Sequence, residues 1–268
     1  MAPDMHHVDR KSLYTSLEAR IDYLHKFLDW DDRDIEALAY GAQHIQNLIP
    51  AVVHIIYHKL SEFDITARAF EVRNTSSESP SKDELSSDSS LLMERQNFLN
   101  SYLTKMSQLS KGSSDQSKMA FWEYLDSVGA MHVGLQKSKE LRIDYIHISL
   151  TLSLIQSVMS QAILDHSSIP ISRRAAIVKS FSKVIWIQND LFARWYVRDG
   201  EEFPDNPAVA RIQVPRGNGT ASVTTGTTTP GTASTASGSA PAATSASAAP
   251  STCPFSAMSK EMGLKVGH

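Results

Sequence analysis

The sequence predicts an all-α fold. Apolar residues recur at three- and four-residue steps through two dense segments, 10–73 and 91–200, and this is the spacing of one helix face. No segment sustains the alternation of apolar and polar residues that is typical of a half-buried strand. With 268 residues, 41% of them hydrophobic, the chain has ample material for a buried core. We therefore expect one helical domain with six or more helices.

The ends of the first helices are indicated by charge and by proline. An N-terminal helix is predicted at 11–29, and the aspartates within 31–34 supply the acidic side chains that stabilise the start of the next helix. That helix is predicted to run to about Leu48 and to end before Pro50, because proline lacks the amide hydrogen that a helix interior needs. Residues 51–60 are predicted as a separate helix.

Four longer helices follow along the chain. In each of them the apolar side chains fall on one broad face, with steps of three and four residues. Their predicted ranges are 91–109, 118–135, 143–165 and 172–198.

Composition divides the chain into zones. Residues 1–9 are polar and predicted to be flexible, and 10–200 form the predicted domain. A Ser-rich, acidic insertion at 74–90 interrupts that domain and offers almost nothing to bury. The segment 201–268 begins with several prolines and continues almost entirely in Gly, Thr, Ala, Ser and Pro, so we expect a mostly disordered tail of low complexity.

Charge and cysteine content argue against several classes of partner. A formal net charge of −3 favours neither nucleic acid nor an anionic membrane surface. The single Cys253 permits no disulfide within the chain, which fits a reducing compartment. We see no secretory signal and no stretch that approaches about 18 uncharged apolar residues. The expectation is a soluble, cytoplasmic protein.

His132 is the first candidate for chemistry, because it falls on the apolar stripe of its predicted helix. A lone histidine there is more often a hydrogen-bonded core residue than a metal ligand. Gly129 and Gly134 flank it, and we interpret their missing side chains as room for something large and flat beside the backbone. A neutral imidazole is the usual axial ligand where haem iron binds and releases a gas. The functional reading is therefore an iron ligand.

Tyr57 is the second candidate, on the inward face of the helix predicted at 51–60. It is either a core tyrosine whose hydroxyl reaches a backbone carbonyl, or a hydroxyl that points into an apolar pocket. In the second case it donates a hydrogen bond to a bound gas ligand, and such a bond is worth about 1–2 kcal/mol.

Four strings in this order resemble the protoglobins and the globin domains of globin-coupled sensors: IIYHKL, WEYLDSVGAMHVG, LRIDYIHISL and FSKVIWIQNDLFARWYV. The resemblance covers roughly residues 10–200. It implies a globin-like helical sandwich that binds haem b. It also implies that His132 is the proximal iron ligand and that Tyr57 is the distal polar residue. The other pocket residues that it implies are Phe98, Val128, Tyr145 and Ile148.

The sequence also departs from that family pattern. Ile56 stands where protoglobins often have tryptophan, and a polar tail follows the domain where the sensors continue into a signalling module. The expected function is reversible binding of a diatomic gas (O2, CO or NO) for sensing, scavenging or transport, with a separate signalling partner. One alternative is a haem enzyme, such as a nitric oxide dioxygenase or peroxidase, that works with a separate reductase. The other is a haem-free helical interaction module.

The last two predicted helices are apolar on more than one face. Leu150, Leu154, Val158 and Ile163 lie beside the core stripe of the first, and Ile185, Trp186, Phe192 and Tyr196 occupy a second arc of the other. An apolar second face must be covered by something. Either other helices of the same chain cover it, or the two helices pair with those of a second copy as a homodimer, which the resemblance also implies.

Overall fold

The structure is a computed structural model that describes residues 5–71, 90–107, 118–135, 142–197 and 199–212. The helices in these ranges are α1 (Arg10–Thr15), α2 (Leu17–Phe27), α3 (Asp32–Ser61), α4 (Asp64–Glu71), α5 (Ser90–Ser107), α6 (Met119–His132), α7 (Tyr145–Leu164), α8 (Ile171–Ala193) and α9 (Pro207–Ile212). The described ranges contain no strand, only one isolated bridge between Val133 and Arg142. The predicted all-α class is confirmed.

The start of α3 follows from the predicted acidic residues. The carboxylate of Asp31 accepts the amide hydrogen of Arg33 at 2.9 Å, and Asp34 accepts that of Asp31 at 3.0 Å. Asp34 also accepts hydrogen bonds from Ser180 and Lys183 on α8, at 2.8 and 2.7 Å. The aspartates that begin α3 therefore also join it to α8.

The predicted helix end before Pro50 is wrong, because α3 continues through this residue to Ser61. Proline in a helix interior removes one hydrogen bond and costs about 3 kcal/mol. Ile49, Val52 and Ile56 are buried on both sides of it, and their burial favours one continuous helix. Pro50 itself is exposed, so its ring displaces no core side chain.

One large core cluster joins the helices. Helix α3 packs on α5, α7 and α8, while α6 packs mainly on α8. Helices α7 and α8 form an antiparallel pair, in which Tyr145 hydrogen-bonds Asn189 and Gln156 hydrogen-bonds Ser182, both at 3.0 Å. A side-chain contact also joins α5 and α6: the Lys105 ammonium lies 4.2 Å from the centre of the Tyr124 ring.

Helix α7 is the one described helix that is long and apolar enough to cross a membrane by length and composition alone. From the sequence, no stretch long and apolar enough to cross a membrane is expected. The buried residues of α7 belong to the core that it shares with α3 and α8: Ile148, Leu152, Ile155, Met159, Ala162 and Ile163. The core of this domain thus covers the face of α7 that these buried residues form.

The two ends of the described chain lie together. Arg10 pairs with Glu202 at 2.8 Å and Lys11 with Asp205 at 3.0 Å, so residues beyond the predicted boundary at 200 pack on α1. The boundary itself stays a prediction. The insertion predicted at 74–90, apart from its last residue, and the tail beyond residue 212 lie outside the described residues.

Candidate functional site

His132 is the last residue of α6, and its ring is held in one orientation. Its Nδ1 lies 2.7 Å from the carbonyl oxygen of Val128, one turn earlier. A carbonyl oxygen only accepts, so Nδ1 carries the hydrogen and donates it. In the neutral ring the lone pair then resides on Nε2, the nitrogen available to a metal.

The surroundings of His132 favour the neutral imidazole. Burial lowers the pKa of His132 below its ordinary value of 6.5, and the charge of Arg95 lowers it further. The Phe192 ring on α8 stands perpendicular to the imidazole, with 5.1 Å between ring centres. The Ile143 amide donates a hydrogen bond to the His132 carbonyl oxygen, at 3.1 Å, and this bond fixes the end of α6. His132 is therefore a positioned, uncharged base.

Gly129, one of the glycines near His132, has a different role from the predicted one. A Cβ atom on Gly129 would lie 2.6 Å from the carbonyl oxygen of Leu191 and 2.9 Å from the Trp195 ring. Gly134 has a φ of 79°, in the left-handed region that glycine adopts at no steric cost. The interpretation of Gly129 as room for a flat ligand is wrong, because α8 fills that space, whereas the same interpretation of Gly134 stays a prediction. Gly129 lets α6 approach α8, and Gly134 lets the chain turn after α6.

Tyr57 lies on α3 and is buried in the main core cluster. Burial raises the pKa of its hydroxyl far above 10.0, although the charge of Arg95 acts in the opposite direction. The hydroxyl therefore stays protonated at all physiological pH values. A protonated hydroxyl can donate a hydrogen bond, and whether Tyr57 donates it to a backbone carbonyl or into a pocket stays a prediction.

Arg95 on α5 connects the two candidates and was missed from the sequence. Its charge influences the pKa of both Tyr57 and His132, so the three side chains lie in one neighbourhood. The signal in the sequence is its register. Arg95 precedes the buried residues Tyr102 and Met106 by seven and eleven positions, which places all three on one side of α5.

Phe98 does not share that burial. Its side chain is 41% exposed, whereas Tyr102, one turn later, is 4% exposed. The hydroxyl of Tyr102 has no hydrogen-bond partner among the described residues. The assignment of Phe98 to the distal face stays a prediction, and Tyr102 is a second buried tyrosine that sequence analysis did not consider.

The remaining predicted residues lie in or beside the core. Val128 and Ile148 are buried in the cluster that contains Tyr57. Tyr145 packs at its edge, with its hydroxyl donating to Asn189 and its ring centre 5.4 Å from that of Tyr196. The structure therefore brings Tyr57, Val128 and Ile148 into one apolar region, beside which Tyr145 and His132 lie.

These residues fit a haem group. No cluster of three histidine, cysteine or acidic side chains able to hold a metal occurs in the ranges that the structure describes. One positioned imidazole suits an iron that takes its remaining ligands from a porphyrin rather than from further protein side chains. The apolar neighbourhood suits the porphyrin faces, and the unsatisfied hydroxyl of Tyr102 is consistent with a binding partner.

Comparison with known proteins decides the family. The model of the Protoglobin family matches residues 17–202 of this chain. The chain belongs to the protoglobin family. The resemblance noted from its motifs is thus confirmed, and the family's globin fold accounts for the all-α architecture. Residues 17–202 include both Tyr57 and His132 and extend from α2 to just before α9.

A solved structure is also similar to this protoglobin chain. It is the globin domain of the Geobacter sulfurreducens globin-coupled sensor, with 14% sequence identity and a TM-score of 0.46. The match covers 66% of this chain and 97% of the sensor domain. No curated protein matches the chain.

Proposed function

We propose that this protoglobin holds haem b with Nε2 of His132 as the iron ligand and reversibly binds a diatomic gas. The observation that carries the proposal is the hydrogen bond from Nδ1 of His132 to the Val128 carbonyl. It leaves Nε2 as the basic nitrogen of a ring that burial keeps neutral. Haem held by this imidazole would supply a position that O2, CO or NO could occupy.

Residues of the chain set the properties of that position. The Val128 carbonyl orients the imidazole and makes Nε2 a stronger base, while Phe192 limits rotation of the ring. Tyr57 donates a hydrogen bond to the gas ligand, since its hydroxyl is protonated and buried. Because O2 carries more negative charge than CO when bound, this donor favours O2.

The test is an absorption spectrum of the purified chain after addition of haemin, in oxidised, reduced and CO-saturated forms. We expect a Soret band in wild type and its loss or strong reduction in His132→Ala. Added imidazole should restore the spectrum of this variant, because it replaces the missing ligand. His166→Ala, which removes a half-buried histidine after α7, is the control. An unchanged Soret band in His132→Ala would disprove the ligand assignment.

We further propose a homodimer that forms through α7 and α8. The hydrogen bonds Tyr145–Asn189 and Gln156–Ser182 set the alignment of the two helices and bring Trp186 beside the first turns of α7. The exposed apolar residues there are Ile146, Leu150 and Trp186, which are 60%, 62% and 59% exposed. The second arc predicted for α8 is partly wrong, because Ile185 and Phe192 are buried in the chain's own core.

The cellular setting belongs to the same proposal. We propose a cytoplasmic setting, which a lone cysteine and a net charge of −3 favour, and we propose that the gas-binding protein acts with another protein. That other protein is a signalling partner or, if the haem turns over, a reductase.

A further inference from the structure

The Tyr102 hydroxyl is an unusual atom for the interior of a helical domain. Tyr102 is 4% exposed, and its oxygen is buried without a hydrogen-bond partner among the described residues. Most buried polar side-chain atoms have a partner, and leaving one unsatisfied carries a substantial free-energy cost. An isosteric phenylalanine would avoid that cost in a purely structural role. The hydroxyl therefore needs an explanation.

Two observations place Tyr102 near α6, the helix that carries His132. Lys105, three residues later on α5, places its ammonium over the ring of Tyr124 on α6, at 4.2 Å. Tyr102 lies one turn before Lys105 on α5, and its pKa is raised strongly by burial and further by Tyr124. Tyr124 precedes Val128 by one turn and His132 by two. The orphan hydroxyl thus lies between α5 and the helix that carries His132.

A second polar side chain, Arg95, lies on the same helix as Tyr102. Arg95 lies two turns before Tyr102 on the same side of α5, and its charge reaches both Tyr57 and His132. A cation and a hydroxyl donor on one helix face, among apolar residues, suit an anionic oxygen. No apolar ligand would make use of either group.

We propose that Tyr102 is a second hydrogen-bond donor of the haem pocket, and that its acceptor is an anionic oxygen that arrives with the haem. This inference rests on the proposed function. The acceptor belongs to a haem carboxylate or to the diatomic ligand. In both cases the hydroxyl, which has no partner among the described residues of the haem-free chain, gains one in the loaded chain.

The test is Tyr102→Phe, which removes a single oxygen, with Tyr40→Phe on the exposed side of α3 as the matched control. Without haem, we expect Tyr102→Phe to unfold at a higher urea concentration than wild type, because an unsatisfied group is gone. With haem bound, we expect Tyr102→Phe to weaken the complex instead. Haem transfer to an acceptor globin or O2 dissociation should become faster by about three- to tenfold. The control variant should change none of these quantities.

Two reconstitutions identify the acceptor. If it is a haem carboxylate, the effect of Tyr102→Phe on haem transfer disappears when the chain is loaded with haem dimethyl ester. If it is the diatomic ligand, O2 dissociation rises in both reconstitutions while haem transfer is unchanged. Equal stabilisation of haem-free and loaded forms, with unchanged kinetics, would overturn the inference and leave haem binding intact. A wild-type chain without a Soret band would overturn the proposed function and this inference together.

Discussion

At the scale of single residues, the proton on His132 determines what the site can bind. The Val128 carbonyl holds that proton on Nδ1, and burial lowers the pKa of the ring and so disfavours a second proton on Nε2. Neither effect is visible in the sequence, where His132 is only a histidine on an apolar stripe. The sequence singles out His132 as the candidate ligand, whereas the tautomer and charge of its ring depend on three-dimensional neighbours such as Val128 and Arg95.

Tyr57→Phe is expected to raise the O2 dissociation rate about tenfold or more, since it removes one hydrogen bond in a buried pocket. The CO dissociation rate should change much less, because CO is less polar when bound. Flash photolysis and stopped-flow mixing measure both rates, and Tyr23→Phe on α2 is the control. Equal changes for the two gases would indicate that Tyr57 acts through its size.

Histidine burial also predicts how stability depends on pH. Burial lowers the pKa of His25 and of His132 below 6.5 in the folded chain, so the unfolded chain binds more protons just below that pH. The free energy of unfolding therefore falls as the pH is lowered from 7 through 6.5, and it rises in the opposite direction. Urea unfolding of the haem-free chain at pH 7.0 and 5.5 measures the difference.

The control for this pH dependence is His25→Phe, which keeps an aromatic ring beside Trp30 and Trp122. We expect a smaller loss of stability between the two pH values in this variant than in wild type. An identical loss would show that other groups dominate this pH range.

At the scale of helices, periodicity predicted most of the fold. The ranges predicted for the helices that became α5, α6, α7 and α8 agree with the structure to within a few residues at each end. Two predictions were wrong: burial on both sides of Pro50 outweighs a local preference, and the single helix predicted at 11–29 is divided at Ser16 into α1 and α2. The roles of Gly129 and Gly134 could not be predicted either, since they depend on the approach of α8 and on the turn after α6.

Gly129→Ala is expected to lower the free energy of unfolding by about 1–3 kcal/mol, because the new methyl group meets the Leu191 backbone and overpacks the α6–α8 contact. Gly41→Ala is the matched control. Its Cβ would meet only the Ile177 side chain, at 3.0 Å, and that side chain can move. Chemical denaturation measures both variants. A Gly129→Ala variant as stable as Gly41→Ala would refute the close approach of α6 and α8.

At the scale of the whole molecule, the described domain joins its own ends and leaves Leu150 on α7 and Trp186 on α8 mostly exposed. The ion pairs Arg10–Glu202 and Lys11–Asp205 connect α1 to the segment before α9. The predicted domain ends at 200, because residues 201–215 carry three prolines. The ion pairs that hold this segment involve α1, which lies nearly two hundred positions earlier in the chain, so local composition could not predict them.

The exposed area on α7 and α8 leads to the last prediction, which concerns assembly. Leu150 and Trp186 are large, apolar and mostly exposed, and a two-fold axis beside them would bury both in one self-complementary contact. Light scattering at micromolar concentration should therefore give about twice the chain mass of 29.6 kDa. Leu150→Glu and Trp186→Glu should each shift the mass toward that of one chain, because a carboxylate would be buried in the interface.

Ile171→Glu is the control for the dimer, since Ile171 is equally exposed but lies at the opposite end of α8. Phe192→Glu is unsuitable, because this residue is buried beside His132 and the substitution would disturb the haem site. The Soret band checks that each variant keeps its fold. A wild type with the mass of one chain would disprove the dimer, whereas a dimer that survives both substitutions would place the interface on another surface.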